Sequence, residues 1–299
     1  MRVVIALGGN ALLRRGERPD AAVQLAHLAM AAPDLANVAA EHEVVVVHGN
    51  GPQVGLLALE SVADESLSRA YPLSDLVAET QGAIGYWIQQ ALANAGLARP
   101  VVTLVTQTVV DAADPAFEDP TKFVGTGYPE DVARAIAAKN GWLVRRDGAD
   151  WRRVVPSPLP RRVVELGIAE LLLQNQTTVI LAGGGGVPVI ETANGLVGVE
   201  AVVDKDFVAA LIATELHADL LVMLTDVSAV FADYGTPSAR ALGATTVDVL
   251  ESLSFPSGSM GPKVSAACQF VTATSARAAI GSLDDMGAVL AGTSGTQIR

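Results

Sequence analysis

The chain has 299 residues, half of them hydrophobic, and its 20 basic against 32 acidic side chains leave a formal charge of −12. That length supports a substantial core in one large α/β unit or two lobes, and the acidic balance argues against nucleic acid or an anionic membrane surface as a partner. A single cysteine, Cys268, excludes an internal disulfide framework and a cysteine-rich zinc site.

Val3–Leu7 is a short apolar run that Gly8-Gly9-Asn10 ends before a signal-peptide core is complete. Asp20–Ala40 is long enough for a helix, and Val44–Val47 is a second apolar run, closed by His48-Gly49-Asn50-Gly51. Leu76–Ala95 predicts another helix and Val101–Val105 another strand. From about Glu118 to Arg162 the texture changes to prolines and to arginine pairs at 145–146, 152–153 and 161–162, which predicts an inserted lid. Arg162–Gln174 then predicts a helix, Thr178–Ala182 a strand ended by Gly183–Gly186, Phe207–His217 a helix and Leu220–Leu224 a strand before Thr225-Asp226. The longest uncharged stretch, Leu171–Ile190, is too broken by polar residues, glycine and proline to span a bilayer as a helix. A soluble, cytoplasmic protein is expected.

Continuous rather than alternating Val/Ile/Leu runs mark strands buried on both faces. Alternation of such strands with helices predicts a mainly parallel sheet covered on both sides, with ligands beyond the carboxyl ends of its strands. The glycine clusters fall at those ends. Backbone N–H groups at a strand-to-helix glycine turn suit an anion. Gly183–Gly186 suits polyphosphate or close packing. No segment matches G-x-G-x-x-G or G-x-x-x-x-G-K-[ST], so a dinucleotide or P-loop site is disfavoured.

Lysine is scarce: four stand against sixteen arginines. Lys139 lies in a plain amphipathic stretch and is expected at the surface. Lys122, Lys205 and Lys263 sit in glycine-, proline- or aspartate-flanked motifs, where a compact ammonium on a flexible stem suits phosphoryl transfer. That chemistry needs alignment and charge neutralisation rather than a general base. The histidines at 27, 42, 48 and 217 form no catalytic set. Asp206 is a candidate organiser of the lysines, whereas Asp204 reads as a helix N-cap.

The chain resembles carbamate kinases, within the amino-acid kinase superfamily. The resemblance rests on Ala6-Leu7-Gly8-Gly9-Asn10-Ala11, His48 through Gly55, Gln81 through Trp87, Pro120-Thr121-Lys122, Arg153 through Pro158, Gly183 through Pro188, Gly198 through Asp206, Leu224 through Val227, Tyr234-Gly235 and Gly258 through Lys263. It implies a three-layer αβα sandwich with an open, mainly parallel sheet: a single domain over 1–299, with an acceptor lobe over about 1–200 carrying the lid at about 118–162, and a nucleotide lobe over about 201–299. It implies a homodimer of arginine metabolism that transfers phosphate reversibly between ATP and carbamate, with Mg²⁺ held mainly by the nucleotide phosphates and by no protein metal site. Another small acidic acceptor, or a non-catalytic sensor on the same fold, is the alternative.

By position, the resemblance puts Gly8, Gly9, Asn10, Gly49, Asn50 and Gly51 on the carbamoyl phosphate side, with Lys122 reaching in from the lid. Lys205 and Lys263 would stabilise the transferring phosphoryl, Asp206 would organise them, and Gly184, Thr225, Asp226, Tyr234 and Met260 would lie toward the nucleotide. Two stretches depart from the family pattern. After Lys122 that pattern reads Pro-Ile-Gly-Pro-Phe where this chain has Phe123-Val124-Gly125-Thr126-Gly127-Tyr128, and the segment before Ser257 is a few residues shorter.

Overall fold

The computed structural model describes residues 1–13, 16–256 and 258–299, with the backbone alone at Asn10 and Ala11. Ser257, next to the shortened segment, lies outside the described residues.

The predicted apolar runs form the middle of one eight-stranded sheet. Its strands are β1 (Arg2–Leu7), β2 (Glu43–His48), β3 (Val101–Thr103), β4 (Thr178–Ile180), β5 (Leu220–Thr225), β6 (Ala244–Thr245), β7 (Arg277–Ser282) and β8 (Thr296–Ile298). Their order across the sheet is β6-β8-β7-β5-β1-β2-β4-β3. Every pair is parallel except β7 with β8.

The continuous hydrophobicity has a direct cause, because successive side chains on each strand serve different cores. Val4, Ala6, Val45, Val47, Leu221 and Met223 face one core. It is completed by the helices α4 (Leu166–Gln174), α5 (Lys205–Glu215) and α6 (Met260–Thr274). Val3, Ile5, Leu7, Val44, Val46 and Val222 face the other core. There they meet α1 (Ala21–Glu41) and α3 (Leu73–Asn94). All twelve of these strand side chains are buried, and each contributes roughly 1.5–3 kcal/mol where the residue is Val, Leu, Ile or Met. The three-layer αβα expectation holds.

A smaller core is made by α2 (Gly51–Ala63), the start of α3, and Val124, Val155 and Val202. It seats the lid, which is an antiparallel sheet of Lys122–Tyr128, Asp150–Val155 and Leu143–Asp147 with the helix Glu130–Asn140. The departing segment is where the lid meets the body. A Cβ on Gly55 of α2 would lie 2.5 Å from the Cα of Gly125, whose φ is +77°. Two glycines therefore let strand backbone rest directly on helix backbone.

Several boundaries differ from the sequence reading: the helix predicted over Leu76–Ala95 spans Leu73–Asn94, that over Phe207–His217 spans Lys205–Glu215, and the strand Thr178–Ala182 ends at Ile180. The helix predicted over Arg162–Gln174 begins at Leu166, because Pro160–Val163 pairs with Gln107–Val110 in a separate four-stranded sheet. The strand predicted over Val101–Val105 ends at Thr103, and Val105 is exposed. Lys139 is exposed on the lid helix, and Cys268 is buried in α6, as expected.

Candidate functional site

At the carboxyl ends of β1, β2 and β5 the chain turns into a crevice of about 480 Å³. Gly8, Gly9, Gly49, Asn50, Gly51, Lys122, Gly184, Lys205, Asp206, Thr225, Asp226, Tyr234, Met260 and Lys263 all line it. Asn10 lies in the helical turn Gly9–Leu12 beside Gly9, and its side chain is outside the description.

The loops divide their tasks. Gly8 donates its N–H to the Leu224 carbonyl at 2.9 Å, and Gly49 donates to that of Leu7 at 3.0 Å. Those two glycines therefore contribute clearance rather than donors. A Cβ on Gly8 would lie 2.9 Å from the Leu224 oxygen, and one on Gly49 the same distance from the Gly9 nitrogen. The donors fall to the first turn of α2, whose N-cap Asn50 makes no side-chain cap and instead donates to Thr80 Oγ1 at 2.9 Å. That helix presents an uncapped, dipole-positive N-terminus to the crevice. In the glycine run 183–186, packing prevails. Added methyls would strike the His48 ring, Asn50, the Val203 carbonyl and Thr108 in turn, and only Gly184 lines the crevice. Gly184 sits against Asn50, on the α2 side of the site.

The buried carboxylate of Asp206 bridges two lysines. Lys205 Nζ donates to Oδ1 at 2.5 Å and Lys263 Nζ to Oδ2 at 2.8 Å. The three side chains are 5–12 % exposed. Asp206 and Lys205 stand on the first turn of α5 and Lys263 on that of α6, so two packed helices hold the cluster in register. Burial pushes the Asp206 carboxyl up, but the two ammoniums outweigh it and hold it far below the usual carboxylate range. Burial lowers the Lys205 pKa; Asp206 opposes that shift and the neighbouring Lys263 adds to it.

His48, fully enclosed behind this cluster, donates from Nδ1 to the Gly49 carbonyl at 3.0 Å. Burial lowers its pKa to about 4, against the Gly49 bond and aided by Lys205. It is a neutral structural ring, not an acid or base.

Lys122, the first residue of the lid sheet, donates to Asp204 Oδ2 at 2.6 Å. Sequence reasoning saw Asp204 only as the cap of α5. It does cap, accepting the Asp206 N–H on Oδ1 at 2.9 Å, and it also holds the lid lysine. No local pattern reveals a partner 82 residues away. Two further residues escaped notice: Phe231, whose ring lies 5.9 Å from that of the exposed Tyr234, and Phe255. They give the far end of the crevice an apolar rim.

The lid arginine pairs are engaged elsewhere. Arg145 pairs with Asp119, Arg152 with Asp147, Arg153 with Glu200, Arg161 with Asp111 and Arg162 with Glu191. Arg146 donates to the Gly148 carbonyl. Among the described residues no arginine lines the crevice, and no group of three metal-ligating side chains is assembled. Nor, among them, is any helix long and apolar enough to cross a membrane.

A family model described as the amino acid kinase family matches residues 1–282. Carbamate kinase from Rhizobium meliloti is 50 % identical over 100 % of this chain and 93 % of its own length. That of Haemophilus influenzae is 47 % identical over 100 % and 96 %. The solved carbamate kinase from Giardia lamblia bound to AMP-PNP superposes with a TM-score of 0.91 at 40 % identity, covering 99 % of this chain and 98 % of that one. The chain thus belongs to the amino acid kinase family, a family of phosphotransferases and, within it, to the carbamate kinases.

Proposed function

We propose that the crevice carries out reversible phosphoryl transfer between ATP and carbamate, run toward ATP from carbamoyl phosphate and ADP. In that direction an ADP β-phosphate oxygen bonds to phosphorus as the carbamate C–O–P link breaks. The electron pair stays on the departing carboxylate oxygen, and no proton has to move. The observation that supports this best is the convergence of three lysines and an uncapped helix N-terminus on one crevice.

In this reading the acceptor lobe holds carbamoyl phosphate between Gly9, Asn10, Gly51 and Lys122, with Gly8, Gly49 and Asn50 shaping the cradle. Lys205 and Lys263 span the transferring phosphoryl, and Asp206 fixes both ammoniums before substrate arrives, so little reorganisation is left for the transition state. Thr225, Asp226, Tyr234 and Met260 form the nucleotide side, with Gly184 at the junction.

The donor set suits Mg²⁺ carried in on nucleotide oxygens, where it would neutralise phosphate charge. Of the crevice carboxylates, Asp204 and Asp206 are already committed to lysines. A larger amino-acid acceptor fits less well. Its additional carboxylate would call for a guanidinium fork, and among the described residues no arginine lines the crevice. The same reading carries a cytoplasmic homodimer serving arginine metabolism. Purified protein given carbamoyl phosphate and MgADP should form ATP; folded protein that forms none overturns the proposal.

A further inference from the structure

We propose that Asp204 is a positioning residue for the acceptor side, acting through Lys122. The inference rests on the reading of Lys122 as a carbamoyl phosphate contact. Each oxygen of Asp204 has its own partner: Oδ1 accepts the Asp206 N–H, and Oδ2 accepts the Lys122 ammonium. Asp204 is 13 % exposed at its side chain and Lys122 36 %.

A lysine side chain carries considerable rotamer entropy. On a lid strand half open to solvent, that freedom would let the ammonium leave the crevice. Asp204 fixes its direction. An ammonium has three donors, so one bond to Asp204 leaves two for an oxyanion. Since Oδ1 is anchored at the first turn of α5, the lid cation is aligned from the same turn that carries Lys205 and Asp206. The acceptor and phosphoryl contacts thus share one frame of reference even though they come from different substructures.

The test is a cycle in the full-length protein. Asp204→Asn and Asp204→Ser both keep an N-cap acceptor for α5 and remove the charged partner of Lys122. Each should lower kcat/KM for carbamoyl phosphate about tenfold, the scale of one charge-assisted hydrogen bond. The KM for ADP should move less than about twofold, as for a distant independent site. Introduced into Lys122→Ala, the same changes should add less than about twofold. Calorimetric binding of carbamoyl phosphate closes the cycle if that background turns over too slowly. An equal loss with and without Lys122, an equal shift in the KM for ADP, or tighter carbamoyl phosphate binding would overturn the role of Asp204. Wild-type protein that makes no ATP would instead sink the proposed function.

Discussion

The two lysine–aspartate systems of the crevice are built on opposite principles. Lys205, Asp206 and Lys263 are nearly enclosed and stand on packed helices behind a parallel sheet. Lys122 is three times as exposed as Lys205, 36 % against 11 %, and stands at the edge of a small antiparallel lid. The first arrangement is rigid before any ligand arrives. The second is held by the ion pair to Asp204, by the backbone seat of Gly125 on Gly55, by the small core of Val124 and Val155 against α2, and by Arg153 on Glu200. Under the proposed function, stabilising a charge that moves during reaction calls for the rigid kind, whereas admitting and releasing an acceptor calls for the other.

The contrast is most severely tested at the rigid end. Lys205→Ala and Lys263→Ala should each lower kcat by about a hundredfold or more, as loss of a preorganised transition-state contact does, with circular dichroism unchanged. Wild-type turnover in both would refute the division. Asp206→Asn leaves two nearly enclosed ammoniums without their counter-charge, and breaking a buried pair from one side costs about 3–5 kcal/mol. Denaturant unfolding should show that loss alongside the loss of activity, and an unchanged midpoint would mean the cluster is less desolvated than its burial implies.

At the lid, Lys122→Ala should raise the KM for carbamoyl phosphate about tenfold and leave kcat and the KM for ADP closer to wild type. A fall confined to kcat would move Lys122 into the phosphoryl group of residues. Gly55→Ala would force the lid strand off α2; overpacking of this kind costs about 1–3 kcal/mol. A thermal melt should register it, and steady-state kinetics should place the damage on the acceptor side.

The last effect is an acid one. The His48 pKa of about 4 lies below the ordinary histidine value, so between those values the unfolded chain takes up a proton that the folded one refuses. Stability should be complete above about pH 6.5 and erode on acidification toward 4. Loss through Asp206 follows only below the ordinary carboxylate range, because its folded pKa is depressed. An NMR titration that finds His48 protonated at neutrality would contradict the enclosure described.

Much of this was legible in the sequence where the cause is local. Val3–Leu7 and Val44–Val47 reveal strands between two cores because both faces of each strand must be apolar. Lys205 and Lys263 stand out because a lysine-poor chain kept them at helix starts. Where the cause is remote, the pattern was silent. Pro160–Val163 is a strand only through its pairing with Gln107–Val110, so the reading ran it into the following helix. Asp204 looks the same as any N-cap aspartate until the lid folds over it. The run Gly183–Gly186 has the composition of a phosphate loop, yet what removes its side chains is mainly the crowding of His48, Val203 and Thr108.

The lid's arginines have an optical corollary. Of the chain's three tryptophans, Trp142 and Trp151 are in the lid, each covered by a guanidinium: Arg153 at 4.1 Å and Arg134 at 4.5 Å from the ring centroid. The third, Trp87, packs at the sheet-facing helix layer. Arg153 is also the lid's tie to Glu200. Ultraviolet emission from the unlabelled protein is therefore weighted toward the lid, so that fluorescence can follow the lid separately from the Lys205–Asp206–Lys263 cluster, which holds no indole.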